Sequence, residues 1–163
     1  MKISFRPIQN NDETFLFKIY ASTREEELAA VPWTSEQKHE FLRQQFKAQH
    51  DHYQKHFSDA QFMLILANDE PIGRLYRDDR ENEIRLIDIA LLPAFRGQGI
   101  GEKMLRDILA EGKRRDVLVR IHVEQNNPAL RLYSRLGFQA IEEQGIYYLM
   151  EWAPQDKNAE VMF

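Results

Sequence analysis

The stretch "IDIALLPAFRGQGIGEKML", Ile87 to Leu105, decides the fold. An apolar, strand-like run stops at Pro93. Three of the chain's seven glycines follow in "RGQGIG", and helical spacing begins at Gly99. Glycine loses more backbone freedom on folding than any other residue. Three of them at a strand-to-helix junction mark either a turn that bends the chain or a close approach of backbone to a ligand. A helix start offers free N–H groups and the positive end of a dipole, and both suit a phosphate. The Walker ending Gly-Lys-Ser/Thr is absent. The dinucleotide fingerprint is absent too, because these glycines are evenly spaced and follow an antiparallel meander.

Outward from that junction, hydrophobic periodicity orders the chain. Ile3, Phe5 and Ile8 suggest a first strand. Asp12 is placed to cap a helix through "ETFLFKIYAST", and Thr34 with Gln37 forms a capping box for a second, long helix. On that helix Phe41, Leu42, Phe46, Tyr53 and Phe57 approximate an apolar stripe. "QFMLILA", "IGRLYRD" and "IRLIDIALL" read as a three-strand meander. A helix follows from Gly99, with Gly112 as its expected end. "VLVRIHV" is a strand, "PALRLYSRLG" a short helix, and "FQAIEEQGIYYLMEW" a closing hairpin. A mixed, mostly antiparallel α+β sheet flanked by helices fits this order. One domain over residues 1–153 is expected, with a polar, poorly ordered tail over 154–163.

Composition narrows the function classes. The chain has 163 residues, a net charge of −4 and no cysteine. The acidic balance weighs against nucleic acid as a partner. The missing cysteines remove disulfides, thiol nucleophiles and Cys-based metal sites. No run has the length of a membrane span, and "MKISFRPIQNN" lacks a signal-peptide core, so a cytoplasmic location without membrane association is expected.

A second motif adds to the glycines. "VEQNNPALRLYSRLGF", Val123 to Phe138, holds Asn126, Tyr133 seven residues later, and Leu136-Gly137-Phe138. Together with Arg96-Gly97-Gln98-Gly99-Ile100-Gly101, it closely resembles the acetyl-CoA signature of the GNAT superfamily of N-acetyltransferases. The resemblance covers Gln61–Trp152 in order of elements and the N-terminal helices only in kind. It implies the GNAT fold and acetyl transfer from acetyl-CoA to a primary amine by direct attack in a ternary complex. It also implies that the Arg96–Gly101 loop holds the coenzyme A pyrophosphate. The thioester end would lie at Ile89 and Leu91 on the fourth strand, with the Leu91 N–H on its carbonyl. Asn126 would hold the pantetheine arm or the adjoining helix start.

By the same resemblance, Tyr133 is the proton donor to the leaving thiolate. The base is Asp88, Glu83 or a water chain. Read on its own, Tyr133 is equally a core residue of an amphipathic helix, Asp88 an ion-paired acid and Glu83 a turn charge. Transfer of another acyl group, or a non-catalytic acyl-CoA-binding regulatory module, stands as the alternative. No metal is expected: His52 and His56 are four residues apart but lack a third ligand, and His122-Val123-Glu124 lacks the cysteines of a zinc deaminase. "STREEELAAVPW", Ser22 to Trp33, is expected between the first two helices, where this family places its acceptor. Arg24, Glu26, Glu27 and Trp33 would read a substrate there, with Tyr147 and Tyr148 as a wall. The acceptor is a small-molecule or peptide amine, and a homodimer is an open option.

Overall fold

The computed structural model describes residues 1–155. Most of the expected polar tail, 154–163, therefore lies outside the described residues. Seven strands form one mixed sheet: β1 (Ile3–Pro7), β2 (Gln61–Ala67), β3 (Glu70–Asp79), β4 (Glu83–Leu91), β5 (Leu118–Glu124), β6 (Gln139–Gln144) and β7 (Tyr147–Trp152). Their order in the sheet is β1-β2-β3-β4-β5-β7-β6. β1 with β2, β5 with β7 and β6 with β7 are antiparallel, and β4 with β5 is parallel. The four α-helices are α1 (Glu13–Ala29), α2 (Ser35–His56), α3 (Ile100–Arg115) and α4 (Leu130–Arg135). Among the described residues no helix is long and apolar enough to cross a membrane. The residues fall into two compact units: residues 1–76 with 89–96, and residues 77–88 with the chain from 97 onward.

In the first unit, β1 pairs with β2 in register from Ile3 with Ala67 to Pro7 with Met63. α1 packs on α2 through aromatic edges, Phe17 to Phe46 at 5.6 Å and Tyr20 to Phe46 at 5.9 Å. The capping box of α2 is present: the Gln37 N–H donates to Thr34 Oγ1 and the Thr34 N–H to Gln37 Oε1. Of the apolar stripe expected on α2, Phe46 alone is fully buried and Phe41 is exposed. Asp12 is the N-cap residue of α1, but its side chain makes no capping hydrogen bond. Its carboxylate turns back to accept from the Gln9 N–H and from both arms of Arg6, and hydrogen bonding from Arg6 holds it below the usual carboxylate range. α1 also runs past the expected Thr23 to Ala29, so Arg24–Ala29 is helix and does not lie between the first two helices; "REEELA" has no Gly or Pro to stop it.

In the second unit, α3 buries Ile100, Met104, Leu105, Ile108 and Leu109, while alternate residues of β5, Val119, Ile121 and Val123, are buried in turn. Gly112 does not end α3. The helix continues to Arg115 and closes on Asp116 in the left-handed region. Gly112 is there for contact: an added Cβ would lie 3.0 Å from the Trp152 ring and 3.1 Å from Val119 Cγ2. α4 closes at Gly137, φ 104°, where the Phe138 N–H reaches back to the Tyr133 carbonyl.

Candidate acyl-CoA site

The glycine loop adopts the geometry that its composition suggests. Gly97 and Gly99 have φ of 72° and 83°, in the left-handed region that side chains disfavour. Gly99 is the N-cap of α3, and no side chain caps that turn. The first N–H groups of a helix have no intrahelical carbonyl, so those of Ile100, Gly101 and Glu102 are not used within α3. A Cβ built at Gly97, Gly99 or Gly101 meets no heavy atom within 4 Å. The cradle is thus open, rich in donors and at the positive end of a helix of four and a half turns, which fits a pyrophosphate. Glu102 beside it is ion-paired to Arg106 and Arg135, which keep its carboxylate ionised below the usual range and offset its charge.

Arg96 and Gln98 are exposed at this loop, and Ile100 is buried as the first apolar residue of α3. The Arg96 side chain, however, turns inward. Its Nε donates to the Leu91 carbonyl at 2.9 Å and a terminal nitrogen donates to Ser22 Oγ at 3.1 Å. Ile89 and Leu91 are half-buried on β4.

The second unit holds two candidate catalytic groups, Asp88 and Tyr133. The parallel ladder between β4 and β5 covers Glu83–Leu86 against Leu118–Ile121, and β4 then continues through Ile87 and Asp88. Asp88 is half-buried. Tyr133, on α4, is 4% exposed and packs edge-on against Phe138 at 5.5 Å. Burial, and then the charge of Asp88, push the Tyr133 phenol well above its ordinary pKa, so it keeps its proton at neutral pH. Asn126 lies exposed in the turn between β5 and α4. Its neighbour Asn127 shapes that turn, with Oδ1 accepting from the Ala129 N–H at 2.8 Å.

Glu83 sits elsewhere in that unit's network. Both of its carboxylate oxygens are engaged, one by Arg80 at 3.1 Å and one by Arg120 at 3.0 Å, and Arg120 also pairs with Glu151. His122 lies between Arg85 and Gln144. Arg85 only donates, so His122 Nδ1 accepts and Nε2–H donates to Gln144 Oε1. His52 and His56 are exposed with ring centroids 4.3 Å apart, and no group of three or more metal-ligating side chains occurs among the described residues.

Two residues at the loop escaped the sequence reading. Ser22 gives no local signal of its role. Gly73 gives one, an isolated glycine inside the strand run "PIGRLY". An added Cβ at Gly73 would lie 2.4 Å from the Ala90 carbonyl oxygen, so β3 backbone lies directly against β4 there.

Comparison with known proteins places the chain in a family. Residues 15–138 match the acetyltransferase (GNAT) family model. A [ribosomal protein bS18]-alanine N-acetyltransferase of Haemophilus influenzae is 28% identical over 87 residues, 53% of this chain and 60% of that protein. The match therefore spans less than two thirds of that relative. Among solved structures, the PaiA N-acetyltransferase of Thermoplasma acidophilum in complex with coenzyme A superposes with a TM-score of 0.69 at 19% identity, covering 94% of this chain and 99% of that one. Naa50 of Arabidopsis thaliana, in complex with the bisubstrate analogue CoA-Ac-MVNAL, gives 0.59 at 16% identity, covering 94% and 99%. At these identities the structural likeness concerns the fold.

Proposed function

We propose, since this chain belongs to the acetyltransferase (GNAT) family, that it transfers an acetyl group from acetyl-CoA to a primary amine by direct attack in a ternary complex. One observation carries the reading. The open glycine cradle at the uncapped start of α3 lies in the same compact unit as the Asp88–Tyr133 pair. One holds an anion and the other manages protons, and acyl-CoA chemistry needs both.

Each residue then has a task. The backbone of Gly97–Gly101 takes the pyrophosphate, and Asn126 steadies the pantetheine arm. The N–H groups near Ile89 and Leu91 receive the thioester end. A fixed donor on the carbonyl oxygen is worth about 2.7–4 kcal/mol in the transition state. Asp88 takes the amine's proton, directly or through water. Keeping a lysine-like amine neutral at pH 7 costs about 5 kcal/mol, given its pKa near ~10.4, so a nearby carboxylate is of real use. Glu83 is committed to two arginines and serves the fold.

Tyr133 faces the leaving sulfur. A thiol has a pKa near ~8.5, so a phenol above ~10 does not give up its proton outright. Tyr133 therefore donates a hydrogen bond as the C–S bond breaks. Nitrogen loses two protons on the way from ammonium to amide: Asp88 relays the first to solvent before attack, and the second leaves as the tetrahedral intermediate collapses. The balance closes because the thiolate gains one proton as nitrogen gives up its second, while the first goes to solvent.

The catalytic domain spans residues 1–153. The acceptor belongs to the class of small-molecule or peptide amines, and Arg24, Glu26, Glu27 and Trp33 on and after α1 face it. Initial velocities with donor and acceptor both varied test the ternary complex. Intersecting lines support it. Parallel lines, which signal a covalent acyl-enzyme, would contradict it.

A further inference from the structure

The end of β4 is held by three features that belong to one compact unit. Ala90 C=O and Leu91 N–H are the two ends of one peptide group. Gly73 lies against the oxygen end so closely that a Cβ would sit 2.4 Å from it and 2.9 Å from Leu91 Cδ2. The next peptide group is bound at both ends as well. The Leu92 N–H donates to the Ile72 carbonyl at 2.8 Å, and the Leu91 carbonyl accepts from Arg96 Nε at 2.9 Å. Arg96 is itself anchored on buried Ser22, whose hydroxyl donates to the Ile19 carbonyl at 2.7 Å within α1. Arg96 is exposed overall, yet these two bonds hold its guanidinium against the Leu91 carbonyl and Ser22. A long flexible side chain is held there at an entropic cost, which calls for a function.

We infer that Ser22, Arg96 and Gly73 are positioning residues, a clamp that aims the Leu91 N–H. Arg96 acts through Leu91 and not as a direct ligand of the pyrophosphate. The inference rests on the proposed role of Leu91 in acetyl transfer. The physical logic is short. Two consecutive peptide groups fixed from behind leave the N–H between them one direction to point. Misplacing such a donor by about 1 Å is worth about 100-fold in rate. The clamp also ties α1, which continues into the acceptor-facing residues, to the peptide that receives the donor.

A truncated donor separates the two roles of Arg96. Acetyl-pantetheine carries the thioester but no pyrophosphate. If the clamp is right, Arg96→Ala lowers kcat at least ~10-fold with acetyl-CoA and with acetyl-pantetheine alike, while the dissociation constant for coenzyme A changes less than ~3-fold. Ser22→Ala loses about 3–10-fold in kcat, as one hydrogen bond allows, and Ser22→Thr, which keeps the hydroxyl, restores it. The double variant loses no more than Arg96→Ala alone, because the serine acts only through the arginine. Gly73→Ala lowers kcat in the same pattern, and its melting temperature reports whether the fold survives; the Arg96 and Ser22 variants carry the test if it does not. Loss of coenzyme A affinity with unchanged turnover of acetyl-pantetheine would overturn the inference and make Arg96 a phosphate ligand. Additive losses in the double variant, or no loss in either single variant, would overturn it too. A parent enzyme that releases no thiol with any amine would instead refute the acetyltransferase reading itself, so the two failures are distinct.

Discussion

Asp88 acts electrostatically on Tyr133: the carboxylate on β4 adds to burial in raising the pKa of the phenol on α4. The phenol is thereby locked in its protonated form over the whole physiological range. The first expectation follows from that pair.

Tyr133→Phe keeps the ring and its edge-on contact with Phe138 and removes the hydroxyl alone. Turnover should fall by about 10²–10³-fold, the usual worth of one positioned hydrogen-bond donor in the transition state, with little change in acetyl-CoA affinity. Steady-state kinetics and calorimetric titration of the same variant check this. A loss under about threefold in a step limited by chemistry would make Tyr133 a packing residue.

The same pair predicts a stability effect with a definite sign. The folded-state pKa of Tyr133 is raised, so the folded protein binds this proton more tightly than the unfolded chain. Its contribution is fully present below about pH 10, the unfolded pKa, and is lost progressively as pH rises beyond it. Chemical denaturation between pH 8 and 11 should show that decline, and Tyr133→Phe should remove this share of it.

Asp88→Asn separates a base from a structural acid. A base acts on protonation, so the variant should lose rate near neutral pH and recover part of it at high pH, where the amine is already neutral. A parent-shaped pH profile with an early melting transition would end the catalytic reading of Asp88.

Much of this was legible in the sequence. The order of strands and helices along the chain, the capping box of Thr34 and Gln37, and the glycine turn before α3 follow from period, turn chemistry and spacing, which are local properties. The misread positions depended on partners distant in sequence. Gly112 looks like a helix end until the Trp152 ring, forty residues on, is seen against it. Asp12 looks like a cap until Arg6 claims its carboxylate. Arg96 carries a family motif, yet its side chain answers to Ser22, 74 residues away. No local pattern encodes such pairs, because tertiary packing creates them.

His122 supplies a separate pH test of the second unit. Burial, then the charge of Arg85, hold its pKa below the ordinary value. The neutral ring is therefore the one that fits, and its stabilising share is present above about pH 6.5 and lost as pH falls through the lowered value. Thermal melts should show falling stability on acidification below pH 6.5, and His122→Gln should flatten that slope. An unchanged slope would mean that other groups govern acid stability.

The cradle itself is best probed at Gly101, where φ is not in the left-handed region and a side chain meets no atom within 4 Å. Gly99→Val would confound ligand sterics with backbone strain, since Gly99 has φ of 83°. Gly101→Glu places a carboxylate in the first turn of α3, where the helix dipole favours it, and at the same time sets it against a bound pyrophosphate. The melting temperature should hold or rise while acetyl-CoA affinity falls at least ~100-fold, or about 2.7 kcal/mol. Unchanged affinity in a folded variant would place the pyrophosphate elsewhere.

The measurement that bears most directly on the whole account is release of the coenzyme A thiol from acetyl-CoA across a library of small-molecule and peptide amines, with the acetylated product identified by mass. The account predicts thiol release above the hydrolytic background with at least one primary amine, in equal amount to the acetylated amine, and its collapse in Gly101→Glu. Tight acetyl-CoA binding with no amine-dependent thiol release anywhere in the library would contradict it and leave a binding module in place of an enzyme.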